Sequence, residues 1–126
     1  MHVVHLEDDG PLREILKVAF QAASPTIDLH QFLDSDSALE YIEKNLDTIQ
    51  LYVLDIRVPG KLNGIELAQK IRELSKRGTI VLTSAYAAPP REMLTILHCE
   101  WFPKPWHIME TTKKLFELAR QERSET

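Results

Sequence analysis

Short apolar runs alternate with amphipathic stretches five times along this chain, and that alternation limits the folds open to it. Val3 to Leu6 is apolar and ends in Glu7, Asp8 and Asp9. Leu12, Ile15, Leu16, Ala19 and Phe20 then recur at the spacing of one helix face. Pro11 suits the first turn, where its missing N–H costs nothing. Ile27 to Phe32 alternates as a strand does. Ala38, Leu39, Ile42 and Leu46 mark a second helix, with Ser37 and Glu40 spaced as a capping box. Leu51 to Leu54 is fully apolar before Asp55, as expected of a strand covered on both faces. Ile65, Ala68, Ile71 and Leu74 make a third helix, with Asn63 as N-cap and Glu66 three residues on. Thr79 to Thr83 is a strand rich in β-branched residues. Pro89-Pro90 opens a short helix around Met93 to Leu97, and Glu100 to Phe102 is a short strand. Ile108, Thr112, Leu115, Phe116 and Ala119 mark the last helix.

Strands alternating with helices predict an α/β fold, a doubly wound five-stranded parallel sheet with helices on both faces. Right-handed crossovers leave few topologies for it. A length of 126 residues suits one domain, with a core over about 2–120 and a polar tail over 120–126 that is expected to fray. With 44% hydrophobic residues the chain has the material for a core, which excludes a disordered protein. A net charge of −4 lacks the basic excess of a nucleic-acid interface. One cysteine forms no internal disulfide, so a reducing cytoplasm is the expected location. No apolar run approaches the ~20 residues of a membrane span. Acids arrive at Glu7, too early for a signal peptide.

Open parallel sheets bind ligands outside the carboxyl ends of their strands. The first strand ends in Glu7, Asp8 and Asp9, the third in Asp55, the fourth in Thr83 and Ser84, and Lys104 follows the fifth. Carboxylates brought together repel, and a hard cation such as Mg²⁺ resolves the repulsion with oxygen ligands. Glu7 and Asp8 are adjacent, which suits sharing a metal, one directly and one through water. Asp55 stands alone at a central strand end and is the candidate nucleophile for an aspartyl phosphate. Lys104 and Thr83 are left to hold phosphoryl oxygens.

With these residues in place, the chain resembles the receiver domains of two-component response regulators over about residues 2–120. The resemblance rests on Glu7-Asp8-Asp9, on Asp55-Ile56-Arg57-Val58-Pro59-Gly60, on Thr83-Ser84 and on Lys104-Pro105, each at an expected strand end. It implies a flavodoxin-like (βα)5 fold with strand order 2-1-3-4-5. It implies that Asp55 accepts phosphate from a sensor histidine kinase or a histidine phosphotransfer protein. Mg²⁺, with Mn²⁺ able to substitute, would be held by Glu7, Asp8, Asp55 and the backbone carbonyl of Arg57. Lys104 would contact the phosphoryl group, and the Lys104-Pro105 peptide would be cis. Thr83 would turn inward on activation, with Trp101 in the place of the family's switching aromatic residue. Side chains at Arg57 and Ala85 would border the phosphoryl group and tune its lifetime. The output would be a downstream protein target or a homodimer, with no direct contact to nucleic acid or membrane. Such a protein catalyses its own phosphoryl transfer and slow hydrolysis and is not an enzyme acting on a diffusible substrate.

This chain departs from the family pattern in several places. The loop from Pro59 to Gly64 is one residue longer than the common form, Trp101 is bulkier than Tyr or Phe, and Pro103 precedes Lys104. Leu97-His98-Cys99-Glu100 stands where a glycine usually precedes the fifth strand. These changes fall on the family's output face.

Plainer readings stand beside the sharp ones. The cluster Glu7-Asp8-Asp9 can simply complement a helix dipole. Trp101 and Trp106 can pack the surface of the last strand and helix. His5 reads as a hydrogen-bonded, half-buried strand residue. His2, His30, His98 and His107 show no zinc spacing with Cys99, which reads as a small buried hydrophobe. Lys70, Arg72, Lys76 and Arg77 read as a solvated helix face. Among other functions, a pseudo-receiver scaffold is the main alternative, although its acid set and lysine are usually eroded. A haloacid dehalogenase type of phosphatase would want an acid where Arg57 stands. A nucleotide-binding Rossmann domain would want Gly-x-Gly-x-x-Gly after the first strand, which is absent.

Overall fold

The central strand of the sheet is the most apolar stretch of the chain, and everything else is wrapped around it. The computed structural model describes residues 1–125. The elements run β1 (His2–Leu6), α1 (Gly10–Ala23), β2 (Asp28–Phe32), α2 (Ser35–Asn45), β3 (Leu51–Asp55), α3 (Gly64–Leu74), β4 (Thr79–Ser84), α4 (Arg91–Leu97), β5 (Cys99–Pro103) and α5 (Ile108–Glu125). All five strands are parallel, in the order β2-β1-β3-β4-β5. Every residue of β3 and β4 is buried, while the edge strands β2 and β5 are only partly covered. The expected architecture and strand order are therefore those of the molecule.

Two apolar layers form, one on each face of the sheet, because the pleat sends alternate residues to opposite sides. Val4, Leu6, Tyr52, Leu54, Ile80 and Leu82 pack under α2, α3 and α4 with Ile42, Leu67 and Ile71. Val3, Leu51, Val53 and Val81 pack under α1 and α5 with Leu16, Phe20, Leu115 and Phe116. Burying a side chain of this size contributes about 1.5–3 kcal/mol before entropy is subtracted.

Four local expectations change. α2 begins at Ser35 and is capped by Asp34, whose carboxylate accepts from the Ser37 N–H at 2.8 Å. Ser37 is therefore inside the helix, and the capping box with Glu40 does not form. The box forms instead at α3, where Asn63 accepts from the Glu66 N–H and Glu66 accepts from the Asn63 N–H. Arg72 is no solvated side chain. Its guanidinium donates to the carbonyls of Leu97, Gly78, Arg77 and His98, tying the end of α3 to the turns before β4 and β5. His5 is fully buried rather than half-buried. α5 continues as helix past Arg120 to Glu125, and Thr126, the end of the expected tail, lies outside the described residues.

Pro103 is tolerated because β5 is an edge strand, where a missing ladder donor is least costly. The next N–H, that of Lys104, donates to the Ser84 carbonyl at 3.0 Å. The missing glycine before β5 has a visible consequence. His98 ends α4 in the left-handed region with φ of 52°, a conformation that favours glycine.

Candidate functional site

Strand periodicity alone sends the key side chains to one place. Residues 3, 51, 53 and 81 face the α1/α5 layer, as does Phe102 of β5. Continuing the alternation by two residues from Val53, Val81 and Phe102, and by four from Val3, puts Asp55, Thr83, Lys104 and Glu7 on that same side, at the carboxyl edge of the sheet. The register confirms the level: Asp55 pairs with Thr83, and Thr83 with Phe102.

Lys104 joins the set. Its Nζ donates to Glu7 Oε1 at 2.6 Å and to Asp55 Oδ2 at 2.8 Å. The side chains of Glu7 and Asp55 are only 1% and 8% exposed, so the two carboxylates sit out of water beside one ammonium. Burial pushes the Glu7 carboxyl above its usual range, opposed by the Lys104 hydrogen bond, and the Asp55 carboxylate adds to the rise. Burial alone would lower the Lys104 pKa, but its two carboxylate bonds outweigh that and hold it above its ordinary value.

The acidic triplet after β1 divides its labour. Asp9 is the N-cap of α1 and accepts from the Leu12 N–H at 3.2 Å, which is the helix-dipole role. Glu7 and Asp8 turn the other way. One carboxylate oxygen from each of Glu7, Asp8 and Asp55 lies within 4.8 Å of the others, a spacing that a cation could bridge. All are hard oxygen donors and Asp8 is exposed, so the donor set fits Mg²⁺ with several waters retained. The Arg57 N–H lies 3.3 Å from Asp55 Oδ1, and the Arg57 guanidinium stacks on the Tyr86 ring at 3.8 Å. Ala85 and Pro105 line a hollow beside Lys104 together with Leu12, Leu16, Trp106 and Ile108. The Lys104-Pro105 peptide is cis, as expected.

The loop that carries Asp55 forward is held by close packing. α3 begins hard against the end of β3: a methyl group at Gly64 would collide with the Asp55 carbonyl oxygen and the Ile56 Cα. Gly64 N–H donates to the Ile56 carbonyl at 2.8 Å. At Gly60 φ is 115°, and an added Cβ would meet the Ser35 hydroxyl. Ser35, fully buried, accepts from the Leu62 N–H through its hydroxyl and donates its own N–H to Pro59. Sequence reading missed Ser35, whose role depends on a contact between residues distant in the chain.

Aromatic placement also differs. Trp101 packs on the opposite face of the sheet, against the layer that includes Met93 and Leu94. It is Trp106 that reaches Thr83, its indole N–H donating to the Thr83 hydroxyl at 3.0 Å. The only sequence signal for this was proximity to Lys104.

Beneath the site, His5 is held neutral. Burial, reinforced by the Lys104 and Arg13 charges, lowers its pKa to about 3. The Gln31 side-chain amide, which also donates to the Arg13 carbonyl, lies 3.1 Å from His5 Nδ1.

A site of this kind on this sheet marks a signalling class, and comparison with known proteins agrees. The family model of the response regulator receiver domain matches residues 3–115. The chain belongs to that family. A curated relative, "Transcriptional regulatory protein CpxR homolog" of Haemophilus influenzae, is 26% identical over 94% of this chain. The chain spans about half the length of that relative, 50%. Among solved structures, a CheY-like receiver domain from Methanospirillum hungatei superposes with a TM-score of 0.84 at 16% identity, covering 99% of this chain and 98% of that one. A receiver domain of Francisella response regulator 1452 gives 0.80 at 24% identity, covering 95% and 97%. These likenesses show the fold. Among the described residues no helix is long and apolar enough to cross a membrane.

Proposed function

We infer that this receiver domain is a phosphoacceptor switch and that Asp55 takes the phosphoryl group. One observation carries the reading: a half-buried ammonium, Lys104, bridges the buried Asp55 and Glu7 carboxylates at a strand edge where three carboxylate oxygens converge. A structural ion pair needs no third acid. A phosphoryl-transfer site needs a nucleophile, a metal seat and a cation for the transferred oxygens.

Glu7, Asp8 and Asp55, with the Arg57 backbone carbonyl, would hold Mg²⁺, which when bound offsets charge on the carboxylates and the phosphoryl oxygens. An Asp55 carboxylate oxygen attacks the phosphorus of a phosphohistidine. The P–N bond breaks, and the imidazole leaves with a proton from solvent. Lys104 gives up its bond to Asp55 Oδ2 and pairs with a phosphoryl oxygen instead. Thr83 accepts from Trp106 and has its own hydroxyl proton to offer a phosphoryl oxygen; turning toward that group costs roughly 1 kcal/mol for the Trp106 hydrogen bond it leaves. Exchanges of this kind, at Lys104 and Thr83, are the local events by which phosphorylation biases a two-state element. The donor is a sensor histidine kinase or a phosphotransfer protein, as the family membership suggests. Exposed Ile15 and Val18 on α1 offer apolar surface for it.

Intact-mass measurement after incubation with a small-molecule phosphodonor and Mg²⁺ tests the reading. One phosphoryl group should add, and none should add in Asp55→Asn or with a chelator present. No addition under any condition would point to a pseudo-receiver scaffold instead.

A further inference from the structure

Two histidines that show no metal spacing in the sequence meet at the amino-terminal end of the sheet, at the opposite end of β1 from Glu7. His2 and Asp28 are direct partners in the β1–β2 register, and His30 lies two residues beyond Asp28. The pleat therefore puts all three side chains on one face. A ligand atom from each lies within 4.8 Å of the other two. His30 Nε2 is 2.8 Å from Asp28 Oδ1, and His2 Nε2 is 3.9 Å from Asp28 Oδ2. The Asp28 side chain is 65% exposed, so an ion can reach it from solvent.

The imidazoles are already oriented. Thr48 donates its one hydroxyl proton to the Asn45 carbonyl at 3.0 Å, so toward His2 Nδ1, also 3.0 Å away, it acts as acceptor. Nδ1 then carries the hydrogen, and the His2 Nε2 lone pair faces Asp28 and the Tyr41 hydroxyl, 2.6 Å distant. Burial favours the neutral imidazole here, against the pull of Asp28. The His30 ring stacks on Tyr41 with centroids 4.5 Å apart, which sets its plane. An outer hydrogen bond that fixes the tautomer of an imidazole is a feature of metal-binding histidines.

We propose that His2, Asp28 and His30 bind one divalent first-row transition ion of the Zn²⁺ type. Two imidazole nitrogens and one carboxylate suit Zn²⁺, Ni²⁺ or Cu²⁺, whereas Mg²⁺ and Ca²⁺ favour all-oxygen sets such as the one at Asp55. Water completes the coordination, with the Tyr41 hydroxyl beside it. A carboxylate only accepts, so His30 Nε2 carries a proton in the metal-free contact with Asp28. That proton moves to Nδ1 or to solvent as the ion binds. The ion would link β1 to edge strand β2.

Calorimetric titration of the untagged protein with Zn²⁺, in excess Mg²⁺ to fill the carboxyl-edge site, tests this. One Zn²⁺ per chain is expected, and it should persist in Asp8→Asn. Binding should be lost in Asp28→Asn and in His30→Gln, each checked for native circular dichroism. Thr48→Val should weaken binding by about tenfold, as loss of an outer partner does. With Co²⁺ in place of Zn²⁺, visible absorption should report nitrogen ligation, and it should disappear in the same two variants. Absence of stoichiometric binding overturns the proposal. So does binding that survives both His30→Gln and Asp28→Asn, or that vanishes in Asp8→Asn.

Discussion

On the β1–β3 side of the carboxyl edge, the polar groups are held by charge: Glu7 and Asp55 share Lys104, and the backbone carbonyl of Glu7 accepts from Arg13 at 2.9 Å. On the β4–β5 side they are held by aromatic residues and turns. There Thr83 is bonded to an indole, Tyr86 stacks under Arg57 and donates its N–H to Ser84, and His98 turns the chain in a left-handed conformation. The first half is strong and directional in a dry environment, and a metal or phosphoryl group can displace its contacts only by supplying comparable charge. The second half consists of single neutral or exposed contacts worth about 1 kcal/mol each. On the proposed function, chemistry belongs to the charged half, although its lysine comes from the turn after β5, and conformational response belongs to the aromatic half.

The largest test of that contrast is Lys104→Met. It strands two buried carboxylates, and the cost is expected at about 3–5 kcal/mol by denaturant melts without divalent cations. Mg²⁺ should recover part of the loss. A cost under 1 kcal/mol would mean that the charged half is no stronger than the aromatic half.

Acid probes the same half from below. The pKa of His5 is lowered to about 3 from 6.5, so the unfolded chain takes up a proton that the folded chain refuses. His5 contributes stability that is fully present above pH 6.5 and is lost as pH falls from there toward 3, by up to ~1.4 kcal/mol per pH unit. His5→Gln should flatten that part of the pH–stability curve, whereas an unchanged slope would remove His5 as its source.

Trp106→Phe keeps the ring against the α1/α5 layer but deletes the indole N–H. Stability should fall by roughly 1 kcal/mol. The freed Thr83 should also raise phosphoryl uptake from a small-molecule donor, a change that loss of packing alone would not produce. The smallest effect is expected at His98→Gly, which relieves left-handed strain and should stabilise by about 1 kcal/mol or slightly less, offset by unfolded-state entropy. A destabilisation there would show that the His98 side chain has a role its backbone conformation hides.

The contrast also explains which features were legible from sequence. Apolar runs ending in acids announced β1 and β3, and alternation carried Glu7, Asp55, Thr83 and Lys104 to one edge without any knowledge of side-chain contacts. α3 was legible because Asn63 and Glu66 supply both halves of its cap. α2 was misplaced at its start because Asp34, Ser35 and Ser37 all have capping chemistry, and the choice of Asp34 depends on Ser35 being drawn under the loop at Gly60. Trp101 and Trp106 flank Lys104 almost equally in sequence. Strand parity sends one to the α4 side, and the turn after β5 sends the other back over Thr83. Arg72 looked like one more charge on an exposed helix because its acceptors are backbone carbonyls, which leave no mark in a sequence.

On the proposed function, the carboxyl edge serves to phosphorylate one residue, Asp55. An acyl phosphate is reduced by borohydride to the alcohol, so phosphorylating the protein in Mg²⁺, reducing it and mapping its peptides locates the acceptor. Homoserine is expected at position 55 and at no other acid, with none formed when a chelator is present. Reduction product at Glu7, Asp8 or Asp9, or at Asp55 irrespective of Mg²⁺, would contradict it.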